Sequence, residues 1–420
     1  MKGSDGKTKI EEIRLGQIKN KKEGEVKKVF LLVIVLLGFL VSSAGALEIQ
    51  VETNFPFVSG LDETVDETGV RSTEYFYPYY GEAEINKSRT ATPIRLNPQP
   101  ETAYGIELNQ KFDKVRILLG GKWLKDRNSV SGKVPGRENK WWSNPEGYAW
   151  KTLEGFVNLW DSEFSSYWYN NGQYYPTATK YLVARDFVLN SYWLRAEIPT
   201  RKNFKIIGGL GYNYWKTSDN QSVDGIQHSE SSGYIWTGEY YSSIYDREYE
   251  FHTNSTAKIN TLGLELGLDG NYPVTEKLSF GGKILVGWHI GTVKEAGHFI
   301  GNEEIFESYN YWSDEGGYGW LREESIQNVI SFSNEYNNNI KSIEAGLNLQ
   351  YNLSANWSLQ LGYFYNRLEG LPIPARFHYQ IVSSEEPVYG AEGLYETEWQ
   401  TGRTTDVSIS GWKIAIEYSF

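Results

Sequence analysis

The chain ends on a stretch that few folds can use. From Gly411 to Phe420 the side chains alternate without a break: Trp412, Ile414, Ile416, Tyr418 and Phe420 take one face of a strand, and Gly411, Lys413, Ala415, Glu417 and Ser419 take the other. Successive strand residues point to opposite faces, so this segment has one apolar wall and one polar wall. A soluble domain rarely finishes on an aromatic residue with a second aromatic two positions before it. A strand standing between hydrocarbon and an aqueous lumen has a use for both walls. Such a strand must belong to a closed barrel, because every backbone polar group in lipid needs a partner. The competing reading is the edge strand of a secreted sandwich.

The other end of the chain agrees with export. Lys27-Lys28 precede an apolar run from Val29 to Val41, broken only by Gly38, and Ala44-Gly45-Ala46 follows. A charged region, an apolar region and a small-residue cleavage site make a secretory signal peptide. The run of 13 residues is short for a spanning helix, which needs about 20. The domain reading is therefore a signal peptide over residues 1–46 and a barrel over residues 47–420, with Leu47 as the first mature residue. Residues 1–25 are mixed in charge and hold no Met after Met1, which points to a translation start at Val26. The last ten residues resemble the closing strand of bacterial outer-membrane β-barrels, in which the terminal aromatic is part of the assembly signal. That resemblance implies two partners, the barrel-assembly machinery and outer-membrane lipid with its lipopolysaccharide.

Residues 1–46 hold nine of the 41 Lys and Arg and five of the 53 Asp and Glu, which leaves a net charge of −16 on the remainder. An acidic chain with no run of basic residues argues against nucleic acid, whose phosphates demand Lys and Arg. Cysteine is absent, which excludes disulfides and Cys-based metal sites. The mean hydropathy is −0.50 despite 31 Tyr and 15 Trp. A membrane protein is this polar only when half of each strand faces a lumen and the connections are long.

Period-2 runs of about ten residues, the length of a tilted crossing strand, can be followed along the chain from Leu47 to Phe420. Four short turns separate pairs of them: Phe112-Asp113-Lys114, Pro199 to Asn203, Val274 to Lys277, and Ser354-Ala355-Asn356. Five long connections fall between the pairs, at about 58–100, 126–185, 218–256, 294–339 and 369–404. The fold class is all-β: a transmembrane antiparallel up-and-down barrel of about ten strands, with short periplasmic turns, long extracellular loops and both termini periplasmic. Twelve strands are the alternative, since Leu153 to Trp160 would extend a strand or form an extracellular ribbon.

The polar face of these strands predicts the lumen. Glu107, Arg116, Lys122, Arg195, Glu197, Glu265, Asp269, Lys283, His289, Glu344, Lys413 and Glu417 all face inward on the alternation, together with Glu48, Glu52 and Lys205. Charges of both signs at strand centres imply ion pairs, because an unpaired buried charge is strongly destabilising. Glu265 and Lys283, on adjacent strands, are the expected example. A ten-stranded barrel is little wider than those that side chains fill, so the lumen should be closed to solutes. A narrow polar channel is the alternative.

Ten strands, periplasmic termini and five long loops resemble the omptin proteases and the ten-stranded Opc-type adhesins. The resemblance is one of architecture and spans Leu47 to Phe420. Omptins carry an Asp-x-Asp pair on one side of the barrel mouth and an Asp-x-His pair opposite, which together activate a water for peptide attack. None of His228, His252, His289, His298 and His378 has an Asp two positions before it, and no Asp-x-Asp occurs; Asp161-Ser162-Glu163 comes nearest. No omptin catalytic residue can be carried over. Neither G-x-S-x-G nor a P-loop occurs. Asp224 with His228, His298 with Glu303 and Glu304, and the acidic group Asp62, Glu63, Asp66 and Glu67 could each touch a cation, but solvated polar loops are the commoner state of such residues. No catalytic residue, metal ligand or cofactor is assigned.

The predicted loops are rich in aromatics, among them Tyr79, Tyr80, Trp141, Trp142, Tyr311 and Trp312. Tyr and Trp give rigid contact area with a polar handle and suit recognition of an extracellular ligand. The same residues also pack strands that continue above a membrane. The functional expectation is a non-enzymatic surface binding or envelope protein of the outer membrane. An omptin-like protease or other hydrolase, and a small porin, are the alternatives.

Overall fold

A computed structural model describes residues 47–420 except 80, 136–137, 145, 161, 167–168, 171–172, 175–177, 202, 235–238, 314–315 and 383–393. The expected signal peptide, and Tyr80 among the loop aromatics, lie outside the described residues. Ten antiparallel strands close into one barrel: β1 (Leu47–Ser59), β2 (Ala103–Phe112), β3 (Val115–Pro135), β4 (Ala178–Arg201), β5 (Phe204–Tyr234), β6 (Tyr240–Pro273), β7 (Leu278–Ser313), β8 (Gly316–Asn352), β9 (Trp357–Pro372) and β10 (Thr404–Ser419). Each strand pairs with its neighbours in order, and β1 pairs with β10 from Glu48↔Ser419 to Ser59↔Ser408. The backbone N–H of Phe420 donates to Leu47 O at 2.9 Å. Gly60, just beyond β1, has φ +91° and lies so close to Asp406 O that a Cβ would sit 1.9 Å from it. Only glycine meets both conditions.

An apolar belt circles the short-turn end. Leu262, Leu264, Leu266 and Leu268 on β6, Ile284, Val286, Trp288 and Ile290 on β7, and Trp412, Ile414 and Ile416 on β10 are all exposed on the outer face. Water would not tolerate this much contiguous apolar surface; hydrocarbon does. Trp123 and Tyr192 meet at the belt's outer edge, where the Trp123 indole N–H donates to the Tyr192 hydroxyl at 3.0 Å. Amphipathic rings of this kind are enriched at the membrane interface. No helix among the described residues is long and apolar enough to cross a membrane.

The strands do not stop at the belt. β6, β7 and β8 run 34, 36 and 37 residues, whereas a crossing needs about ten. The connections expected at 218–256 and 294–339 are therefore mostly strand. The physical reason is that alternation inverts above the bilayer instead of ending. On β6 the outer residues there are Asn254, Thr256 and Lys258, while Phe251, Ala257 and Ile259 are buried inside. A search for outward apolar residues reads such a segment as a loop.

Three of the long connections add structure of their own. Strands Glu63–Pro78, Glu84–Leu96, Glu138–Asn144, Gly147–Leu159 and Ser162–Ser166 form a separate five-stranded sheet. Leu153 to Leu159 belong to it, Leu153 to Asn158 paired with Glu67 to Ser72 and Leu159 with Ser162, so they form an outer ribbon and add no barrel strand. The end of β9 and the connection after it turn inward, with Leu371, Ile373 and Ala375 buried, and the chain continues into the hairpin Arg376–Val382 and Leu394–Gln400.

Candidate functional site

Inside the belt lies a cavity of about 460 Å³ lined by the charged residues of the lumen. Of the twelve lumen residues predicted from the alternation, Glu107, Arg116, Lys122, Arg195, Glu197, Glu265, Asp269, Lys283, Glu344, Lys413 and Glu417 line it, and His289 is buried beside it. Strand register decides how they pair. Nearest the short turns, Arg116 contacts Glu48 and reaches Glu197 at 3.8 Å, and Lys205 bridges Glu197 at 2.9 Å and Asp269 at 3.3 Å. At mid-depth Arg195 holds Glu265 at 2.6 Å and Glu344 at 3.1 Å, while Lys283 holds Glu344 at 2.7 Å. Lys413 reaches Glu52 at 3.5 Å. The expected pair Glu265–Lys283 does not form. Glu265 sits opposite Gly287, and Lys283 sits opposite Asp269, so the Lys283 side chain turns to Glu344 on the next strand.

Four lumen residues are held in other ways. The Lys122 ammonium lies 3.7 Å from the centre of the Phe364 ring, a cation–π contact. Glu107 accepts the Trp193 indole N–H at 2.8 Å, and Glu417 accepts from Gln360 at 3.2 Å. His289 is 0% exposed; its Nε2 is 3.0 Å from Ser342 Oγ and 3.9 Å from Glu265 Oε1. A nucleophile relay needs the hydroxyl and the carboxylate on opposite ring nitrogens. Here both approach Nε2, so these three do not form a relay, and the pair fixes a lumen serine in place.

The cavity is roofed. Val58, Leu124, Phe187, Trp215, Ile259 and Ile340 pack with the inturned Leu371 and Ile373 into one apolar layer across the barrel. The Trp215 indole N–H donates to Pro372 O at 2.9 Å, and the Thr217 hydroxyl donates to the same oxygen at 3.3 Å. These bonds satisfy a carbonyl that the inturned segment would otherwise bury unpaired. Above this layer Arg185, 2% exposed, binds Asp219 through Nε at 2.7 Å and Nη2 at 2.6 Å, Glu63 at 2.6 Å and Leu61 O at 3.1 Å. Glu63 also accepts from Arg403 at 2.5 Å. Burial alone would raise the Glu63 carboxyl, but Arg185 and Arg403 outweigh it and hold it below the usual carboxylate range. A second apolar layer follows, with Phe299 stacked on Phe377 at 4.3 Å and Phe251 on Phe299 at 5.9 Å. The Trp160 indole donates to Thr253 Oγ1 at 3.1 Å within it. Sequence reading missed the second layer because its residues fall inside stretches it treated as loops, and the first because Leu124, Phe187, Trp215, Ile259 and Ile340 stand just outside the ends of those stretches, beyond the outward apolar runs. The signal it could have used was inverted alternation, as in Phe251, Thr253, Ser255, Ala257 and Ile259.

The candidate cation groups come apart. Glu63 is taken by the arginines, Glu67 pairs with Arg89, and Asp62 accepts from Gly60 N at 3.0 Å. His298 faces outward and bonds Ser331 Oγ at 2.6 Å, whereas Glu303 faces inward and binds Arg247 at 2.6 Å. His228 contacts Asp246. Among the described residues no group of three or more His, Asp or Glu is arranged to hold a metal ion.

The loop aromatics lie apart from one another. Tyr79 is exposed and meets Tyr148 edge-on at 5.3 Å. Trp141 and Trp142 lie in the strand Glu138–Asn144 of the outer sheet. Tyr311 and Trp312 stand at the far tip of β7, with Tyr311 5.0 Å from Tyr318 and Trp312 5.5 Å from Tyr240. Tyr309, Tyr311, Tyr318 and Trp320 share the inner face of this tip, where Tyr309 stacks on Trp320 at 6.3 Å.

No protein-family model matches the chain, and no curated protein does. Among solved structures, the outer membrane protease OmpT from Escherichia coli is 11% identical, with 89% of this chain and 97% of that chain covered and a TM-score of 0.33. The P. putida toluene transporter TodX is 8% identical, covering 90% and 91%, with a TM-score of 0.19. OmpT of Vibrio cholerae, an outer membrane protein, is 10% identical, covering 87% and 99%, with a TM-score of 0.10. At these identities no residue role passes from them to this chain.

Proposed function

We propose that this protein is an integral outer-membrane barrel that is closed to solutes and holds a rigid binding surface above the membrane. The observation that carries the reading is the pair of stacked apolar layers between the charged cavity and the outer mouth. A solute would have to cross both, and the Arg185–Asp219–Glu63–Arg403 cluster between them ties four separate parts of the chain together. A porin keeps its lumen hydrated and open from end to end; the upper part of this lumen is packed like the interior of a soluble domain. The absence of an Asp-x-His or Asp-x-Asp pair, together with the geometry at His289, favours binding over hydrolysis. The surface offered to a partner is the projecting end of β6, β7 and β8, with Tyr318, Trp320 and Trp312 exposed. Export by the signal peptide and periplasmic placement of both termini belong to the same reading.

The test has two arms. In planar bilayers the purified barrel should give no stable conductance steps of porin size. Reproducible large channels would overturn the reading. On the surface of cells, a variant with Tyr318→Ala and Trp320→Ala should keep its folded yield and lose capture of host or envelope polymers that the unaltered protein retains. Equal capture by both would move the binding surface elsewhere.

A further inference from the structure

The outer edge of the apolar belt on β5, β6 and β7 is built in rows. The last apolar row sets Leu262 of β6 opposite Ile290 of β7. The next row is Tyr214, Asn260 and Thr292, in direct cross-strand register. Its groups bond along the surface: the Tyr212 hydroxyl donates to Asn260 Oδ1 at 3.0 Å, and the Thr292 hydroxyl to Asn337 Oδ1 at 3.2 Å. The row above that is Lys216, Lys258 and Lys294, again in direct register. Lys125 on β3 continues it one strand beyond Val188 of β4.

Neighbouring strands lie about 4.8 Å apart, so three ammonium stems rise from adjacent backbone positions on one face. Like charges directly opposite one another destabilise a sheet. Lys294 has an exposed partner, Glu335, at 2.9 Å. Neither Lys216 nor Lys258 forms an ion pair among the described residues. A chain of net charge −12 has carboxylates to spare, yet none stands in direct register with these two; Asp186 on β4, the diagonal neighbour of Lys216, pairs with Arg127 at 3.5 Å. The order of rows, apolar, then hydroxyl and amide, then cationic, matches the order of acyl chain, sugar or ester, and phosphate in a phosphorylated lipid standing against the wall.

We propose that Lys216, Lys258 and Lys294 form a binding site for the phosphate groups of a glycolipid in the outer leaflet, whose acyl chains lie on the belt below. The inference rests on the proposed outer-membrane placement. A free phosphate would meet the same ammonium groups but not the belt, and the belt selects the lipid.

The folded protein is reconstituted in phosphatidylcholine vesicles carrying either a bisphosphorylated glycolipid or the same glycolipid with its phosphates removed. Lipid retained on the extracted barrel is counted by native mass spectrometry. Each lysine near an anionic surface multiplies affinity about fivefold, so the Lys216→Gln, Lys258→Gln, Lys294→Gln triple variant should retain the phosphorylated lipid on the order of 100-fold less well than wild type. Both proteins should retain the dephosphorylated lipid equally and weakly. Without glycolipid the triple variant should melt above wild type, because the cross-strand repulsion is gone. Lys258→Gln alone, about a fivefold loss, covers the case in which the triple variant does not fold. Equal retention of the phosphorylated lipid by wild type and variant overturns the site. Inorganic phosphate that raises the wild-type melting temperature as much as the glycolipid overturns the lipid assignment. Failure of wild type to insert into any vesicle counts against the outer-membrane reading and not against the lysine row.

Discussion

Two stretches of β6 face opposite worlds. Between Leu262 and Leu268 the leucines point outward, and Glu265 points into the lumen. Between Phe251 and Ile259 the buried residues are Phe251, Thr253, Ser255, Ala257 and Ile259, while Asn254, Thr256 and Lys258 point outward. β7 repeats the change, from outward Trp288 and inward Lys283 to outward Lys294 and buried Val293 and Phe299. The backbone is the same in both halves; the solvent is not. Where the outside is hydrocarbon, the sheet's polar side chains must turn inward and neutralise one another there. Where the outside is water, the hydrophobic effect pulls apolar side chains inward and fills the barrel. One hydrogen-bonded wall thus encloses an ionic chamber at one level and a packed apolar core at the next.

The largest effect should come from damage to the upper half. Trp215→Ala removes the side chain that spans the first apolar layer and leaves Pro372 O with only the longer bond from Thr217, so thermal or denaturant unfolding should show a loss at the upper end of about 3–5 kcal/mol. A loss below about 1 kcal/mol, the scale of an ordinary surface change, would mean that this layer is loosely packed and the contrast overstated. In the lower half, Arg195→Leu strands Glu265 and weakens Glu344, and should cost about 3 kcal/mol. Lys283→Leu should cost less, because Glu344 keeps Arg195. If the two variants are equal, the chamber is water-screened and not a tight network.

The outer wall gives a paired test at intermediate size. Leu264→Arg, in the middle of the belt, should lower stability in lipid by about 2–4 kcal/mol, whereas Thr256→Arg, above it on the same face, should stay within about 0.5 kcal/mol. Similar losses at both positions would place the membrane boundary elsewhere. The smallest expected effect is a pH dependence. The Glu63 carboxyl titrates below its unfolded value of about 4.3, so its contribution is fully present above that value and fades as pH falls through the folded one. Glu63→Gln should lower the melting temperature near neutral pH by about 2–4 °C, and the difference should close on acidification. A difference that grows in acid would show the sign to be wrong.

The belt and the strand count could be read from the sequence because apolar residues at every second position, such as Leu262 to Leu268, make a strand with one wholly apolar face. The lumen residues could be read for the same reason, since they are whatever faces away from that belt. The pairing could not: Glu265 and Lys283 lie near one another along their strands, but only the register shows Lys283 opposite Asp269. The upper half was hidden because Thr253, Ser255 and Thr217 are buried polar residues that mask the alternation. The lysine row was hidden because Lys216, Lys258 and Lys294 are far apart in sequence and become neighbours only through cross-strand pairing.

The seam between β1 and β10 has a consequence in time. Every other pairing in the wall joins strands that follow one another in the barrel's chain order, but Leu47 and Phe420 come from opposite ends of the described chain. Contacts between distant residues form late, because the closure entropy of all the intervening chain comes first. Until this seam closes, the sheet keeps two raw edges. Closure between the two ends of the described chain is therefore expected to be a late step in forming the barrel, after the neighbouring hairpins have paired.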